Sequence, residues 1–91
     1  MIGKGRKTGQ IRFALSPAGP ADRVAVAGDF TDWTPQTLRR QKSGQYVANI
    51  NVPPGSHEYK FVVDGQWMLD PDNGQMALNP YGTFNSVLIV E

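Results

Sequence analysis

Groups able to act as acid, base, nucleophile or metal ligand are few in this 91-residue chain, which has one histidine, eight carboxylates and no cysteine. The missing thiols exclude disulfides, thiolate metal sites and a cysteine nucleophile together. Asp29, Asp32, Glu58, Asp64, Asp70 and Asp72 are scattered, and most stand beside Gly, Pro or Asn. In such positions an aspartate ordinarily bonds its own backbone in a turn. A glycosidase needs two carboxyls held across a cleft, and so short a chain has little material for the walls. His57 directly follows a turn, has no evident triad partners, and reads as a hydrogen-bonding residue. Asp70, Asp72, Asn73 and Gly74 gather oxygens as a calcium loop does, but the glycine comes one position early and Tyr81 falls where a bidentate Glu is needed. Gly3, Gly5 and Gly9 lack the preceding strand and following helix of a phosphate-cradling loop. No catalytic residue, metal ligand or cofactor is expected.

Aromatic placement is more informative. Trp33 lies in a polar turn, Trp67 starts a strand after a hairpin, and Tyr81 sits in a Pro-Tyr-Gly loop, all outside the core-facing runs. Loops carry binding residues disproportionately. A flat ring offers an apolar platform to the C–H face of a pyranose, and Lys or Asn nearby can bond its hydroxyls. Exposed aromatics serve a protein partner equally well, and either tryptophan alone could fold back as a lid on the core.

The elements that must position these rings are short. Ten glycines and seven prolines punctuate the chain, and the longest stretches free of both, Ser56–Asp64 and Thr83–Glu91, are shorter than a mean helix of about 11 residues. A helical bundle is excluded. Ile11, Phe13 and Leu15 alternate on one face of a first strand and Val24 and Val26 on one face of a second. Leu38–Lys42 and Tyr46–Val52 flank Ser43-Gly44, read as a two-residue hairpin turn, with Tyr46, Ala48, Ile50 and Val52 on one face. Ser56–Val63 and Gln66–Leu69 flank Asp64-Gly65, the strongest hairpin signal in the sequence. A two-residue loop there sets Val63 against Gln66, Val62 against Trp67 and Phe61 against Met68, which makes Lys60 and Trp67 diagonal neighbours on one face. A long loop, DPDNGQMALNPYG, precedes a last strand, Phe84–Val90. The pattern predicts an all-β, immunoglobulin-like sandwich of six to eight antiparallel strands.

Residues 1–9 read as a flexible basic leader and 10–91 as the folded domain. Lys4, Arg6, Lys7 and Arg12 precede any acidic residue, and the rest of the chain has five basic against eight acidic residues. A slightly acidic body is a poor phosphate-binding surface, so nucleic acid is not an expected partner. The leader has no apolar segment of the signal-peptide kind and no stretch approaches the ~18 apolar residues of a membrane span. No membrane partner and a cytoplasmic location are expected.

Three signatures occur in order: Gly-x-Phe-x-x-Trp at Gly28–Trp33, Tyr-Lys-Phe-x-Val-Asp-Gly-x-Trp at Tyr59–Trp67, and Gly-Thr-x-Asn at Gly82–Asn85. With them the chain closely resembles, from about Arg12 to Val90, the glycogen-binding domain of AMP-activated protein kinase β subunits, within carbohydrate-binding module family 48. The resemblance implies an early-set β-sandwich that binds α-1,4-linked glucan (glycogen, starch or maltodextrin) without catalysis. Trp33 and Trp67 would stack on glucose rings, Lys60 and Asn85 would bond hydroxyls, and Thr83 would add a secondary polar contact. Where the family has a leucine reaching through the ring of a cyclic glucan, this chain has Tyr81, a further ring available for stacking. The alternative is an interaction module that packs on a glucan-metabolising enzyme, with the tryptophans covering protein rather than sugar.

Overall fold

A computed structural model describes all 91 residues as two antiparallel sheets packed face to face. The strands are β1 (Ile2–Lys4), β2 (Gln10–Leu15), β3 (Val24–Gly28), β4 (Gln36–Thr37), β5 (Arg39–Arg40), β6 (Tyr46–Asn51), β7 (Gly55–Val63), β8 (Gln66–Met68), β9 (Met76–Leu78) and β10 (Phe84–Val90). One sheet runs β1-β2-β6-β5; the other runs β4-β3-β7-β10-β9, with β8 also paired to β7. The one helical element is a single 3-10 turn at Asp29–Thr31.

Alternation fixes which residues meet between the sheets. Phe13, Leu15, Val24, Val26, Leu38, Val52, Tyr59, Phe61 and Leu88 form the buried core, and Ile11, Tyr46, Ala48 and Ile50 pack against it. The Asp64-Gly65 hairpin has the expected register, Val63 to Gln66, Val62 to Trp67 and Phe61 to Met68. Both turn residues have positive φ, 49° and 84°, which matches the twist of the flanking strands. Asp64 departs from the expected local turn bond: its Oδ1 accepts the backbone N–H of Asp22 and Arg23, at 3.0 and 2.8 Å. The hairpin is thereby tied to the chain entering β3.

Ten strands exceed the expected six to eight for three reasons. The leader, expected as a flexible tail, contributes β1, which pairs with β2 through Ile2–Phe13, Gly3–Arg12 and Lys4–Ile11. Ile2 shares a face with Phe13 and packs against the core, so apolar contact outweighs the solvation of the neighbouring cations. The expected strand at Leu38–Lys42 is divided between sheets, with β4 on β3 and β5 on β6. Leu38 lies between them, buried, and its N–H bonds Val24 O at 2.8 Å. Because β5 stops at Arg40, Ser43-Gly44 belongs to the longer connection Gln41–Gln45, closed by Gln41 N–H to Gln45 O at 2.7 Å. The third addition is β9, formed inside the long loop by pairing Met76–Leu78 with Phe84–Ser86.

Asp70 exceeds its expected turn role. Its Oδ1 does accept the Asp72 N–H at 2.9 Å, as in a local turn. The side chain is also fully buried, accepting the Tyr59 hydroxyl at 2.7 Å and the Met1 ammonium at 2.6 Å. Asn73 Nδ2 donates to the same hydroxyl and to Val87 O, both at 2.9 Å. Burial pushes the Tyr59 phenol well above its ordinary pKa, and the bond to Asp70 adds to the rise. Of the oxygens suggestive of a calcium loop, those of Asp70 and Asn73 thus have internal partners.

Candidate functional site

Trp33 reaches the surface because the turn before it is anchored at several points. Gly28 is required: a Cβ there would lie 2.5 Å from the Phe30 ring and 2.7 Å from Glu58 O. The Gly28 N–H bonds Thr31 Oγ1 at 3.0 Å, and the Thr31 hydroxyl donates back to Gly28 O at 3.0 Å. Phe30 points inward and stacks on Phe13, ring centroids 5.4 Å apart. Asp32 and Trp33 then take left-handed backbone at φ 52° and 58°, a conformation that bulky residues adopt only where the surroundings enforce it. The Trp33 N–H bond to Gly28 O, 2.8 Å, closes the turn. This accounts for the Gly-x-Phe-x-x-Trp spacing physically.

Asp29 and His57 brace the same turn from β7. The Asp29 carboxylate accepts His57 Nδ1 at 2.7 Å through Oδ1 and the Glu58 N–H at 2.9 Å through Oδ2. His57 Nε2 lies 2.7 Å from Pro53 O, so both ring nitrogens face acceptors. Partial burial works against the imidazolium, but the Asp29 and Pro53 bonds outweigh it and raise the His57 pKa above 6.5. The expected hydrogen-bonding role of His57 is what the geometry gives.

Beyond this turn a cleft of about 640 Å³ opens on the outer face of the β7 sheet, lined by residues of four segments. Trp33 comes from the β3–β4 connection, Glu58 and Lys60 from alternate positions of β7, Trp67 from β8, and Leu78, Asn79, Pro80, Tyr81, Thr83 and Asn85 from the β9–β10 hairpin. All six residues expected to form a site, Trp33, Lys60, Trp67, Tyr81, Thr83 and Asn85, line this one cleft. Trp33 is 37%, Trp67 47% and Tyr81 90% exposed, so none is a lid folded onto the core. Lys60 engages no carboxylate within 4.0 Å.

Asn85, expected to bond sugar hydroxyls, is held within the protein through its side-chain amide. It is only 7% exposed; its Nδ2 donates to Glu58 Oε1 at 3.0 Å and its Oδ1 accepts from Asn79 Nδ2 at 3.2 Å. Sequence reasoning missed Asn79, the organiser of the hairpin. Its Oδ1 accepts the N–H groups of Tyr81 and Thr83 at 3.0 and 3.1 Å, and its Nδ2 donates to Thr83 Oγ1 at 2.6 Å. With Gly82 at φ 82° the loop folds back on Asn79 and holds Tyr81 outward. The Asn79-Pro80 pair is a turn signal that could have drawn attention to it. Glu58 was also missed as a cleft residue, although it lies two positions from Lys60 on the same face of β7.

An open, aromatic-lined cleft with a hydrogen-bonded polar rim, set on one outer face of an early-set sandwich, defines a surface-binding domain. A family model for the glycogen recognition site of AMP-activated protein kinase matches residues 11–91, and the chain belongs to that family. It is 36% identical over 73 residues to 5'-AMP-activated protein kinase subunit beta-1 of Sus scrofa, a match covering 80% of this chain and 58% of that one. It is 34% identical over 68 residues to subunit beta-2 of Mus musculus, covering 75% of this chain and 25% of that one. The chain therefore spans little more than half the first relative and a quarter of the second. Among solved structures, a maltogenic amylase from S. marinus superposes over 100% of this chain and 15% of its own, with TM-score 0.76 and 27% identity.

Proposed function

We propose that this domain binds α-1,4-linked glucan, as glycogen, starch or a maltodextrin, in the cleft between Trp33, Trp67 and Tyr81, and performs no chemistry on it. The observation that carries the reading is that Trp33, from the β3–β4 connection, and Trp67, from β8, both stand open over one cleft beside Lys60. Rings of that kind take up the apolar faces of successive sugars, while Lys60 and Thr83 donate to hydroxyls. Family membership supports the same ligand class.

The absence of catalysis in this reading rests on what the carboxylates are doing. Asp29 is committed to His57 and to the Glu58 N–H, and hydrolysis calls for a second free carboxyl opposite the first. The cleft lining has two carboxylates and one lysine, which disfavours a polyphosphate and supports the exclusion of nucleic acid. No helix is long and apolar enough to cross a membrane; a cytoplasmic location, with the polymer, belongs to this reading as a proposal.

An open site with few rings leaves a modest surplus over the cost of association, so a dissociation constant on the order of 10 μM to 1 mM is expected for maltoheptaose. Calorimetric titration with maltoheptaose and glycogen tests this. Absence of saturable binding at millimolar sugar contradicts it.

The alternative role, docking on a glucan-metabolising enzyme, draws on an apolar patch that adjoins the cleft at Leu78. Leu78 and Phe84 are register partners on β9 and β10, and with Met76 they expose large apolar side chains at the sheet edge. A domain can use both surfaces. Copurification with such an enzyme that survives excess maltodextrin would support the second role, and copurification abolished by maltodextrin would assign any association to a shared polymer.

A further inference from the structure

The carboxylates of the cleft are not equivalent. Asp29 has both oxygens engaged within the protein. Glu58 uses Oε1 to accept Asn85 Nδ2 at 3.0 Å, and Oε2 has no protein partner. Nor does Glu58 pair with Lys60, although both line the cleft two positions apart on β7. Its backbone is held by the Asp29 bond and its side chain by Asn85, which Asn79 orients in turn. The chain Asn79 Nδ2 to Asn85 Oδ1, then Asn85 Nδ2 to Glu58 Oε1, has one consistent direction because the glutamate end only accepts.

From this geometry we infer that Glu58 is the fixed anionic acceptor for sugar hydroxyls in the cleft, that Asn85 is a positioning residue for it, and that the free carboxylate oxygen selects neutral glucan over glucan bearing phosphate esters. The inference rests on the glucan-binding reading and specifies the ligand class within it. An ionised oxygen accepts from hydroxyls more strongly than an amide oxygen does, and two vicinal hydroxyls can share its lone pairs. A phosphate ester brought to the same rim meets like charge across a few ångströms, with Lys60 alone to offset it.

Glu58→Gln isolates the effect. The glutamine Oε1 can still accept from Asn85, while Nε2 replaces the free acceptor with a donor. Affinities for maltoheptaose and for a phosphate-monoester maltodextrin of similar length are measured calorimetrically on the wild-type domain and the variant, with thermal midpoints as the folding control. The expected result is a roughly 3- to 10-fold loss of maltoheptaose affinity at an unchanged midpoint, together with a fall in the ratio of neutral to phosphorylated affinity. An unchanged maltoheptaose affinity, or an unchanged ratio, overturns the inference. Wild-type protein that binds maltoheptaose under either result keeps the glucan reading; wild-type protein that does not bind it refutes that reading independently.

Discussion

Phe13, Phe30, Tyr59 and Phe61 touch one another inside the sandwich at centroid separations of 5.4 to 5.9 Å, whereas Trp33, Trp67 and Tyr81 stand apart over the cleft, 37 to 90% exposed. The two sets lie within a few residues of each other in sequence: Phe30 precedes Trp33 by one turn, and Phe61 is joined to Trp67 through one hairpin. What separates them is backbone. Phe30 is on the inward side of the 3-10 turn and Trp33 follows in left-handed conformation; Phe61 and Trp67 occupy opposite faces of paired strands. The inner rings hold the turn and hairpin from below, and the outer rings are free because the inner ones are not. Loss of an inner ring should therefore appear as instability, and loss of an outer ring as lost binding.

The largest effect that could break this comparison is on the inner set. Phe61→Ala removes a fully buried ring from the contact with Tyr59 and is expected to cost about 3 to 5 kcal/mol of stability, much of what so small a domain possesses. Thermal or denaturant unfolding measures it; a loss below about 1 kcal/mol would mean that the inner rings do not set the stability. Next comes Trp67→Ala, expected to leave the thermal midpoint nearly unchanged while weakening maltoheptaose binding by about 1 to 3 kcal/mol, as stacking on other flat ligands does. A large drop in midpoint would move Trp67 into the structural set.

A smaller effect sharpens the role of the bracing pair beneath Trp33. Because the folded-state pKa of His57 is raised above 6.5, protonated His57 contributes stability that is fully present below about 6.5 and lost as pH rises through the folded value. The midpoint difference between wild type and His57→Asn should be widest at acid pH and narrow toward alkaline pH. A difference independent of pH would show that the imidazolium bond to Asp29 is not what stabilises the turn. The smallest expected effect is that of Lys60→Ala, a modest loss of glucan affinity with an unchanged midpoint and little salt dependence, because glucose is neutral. Binding that disappears as salt is raised would instead indicate a charged ligand.

Much of this division was legible in the sequence because it follows from local rules. Asp64-Gly65 dictated a register that put Lys60 and Trp67 together, and strand alternation grouped Phe13 with Leu15 and Val24 with Val26 on the faces that form the core. Features set by distant partners were not legible. The leader strand exists because Ile2 meets Phe13 and Met1 meets Asp70, 69 residues away; β9 needs β10, and the division at Leu38 needs a core position between two sheets. Asn85 was identified as a cleft residue but not as a buried one, since its partner Glu58 is 27 residues away on another strand. The Asn79 bonds are local, within six residues, yet a loop asparagine has too many bonding options for type alone to choose among them.

Where glucan binds is tested most directly by a chemical-shift titration with β-cyclodextrin, which reads site and affinity in one experiment. The predicted result is saturable change centred on Trp33, Lys60, Trp67 and the Asn79–Asn85 hairpin, including the indole N–H signals of both tryptophans, with the inner rings little affected. Shifts confined to surfaces remote from those residues, or no shift at millimolar sugar, would contradict it.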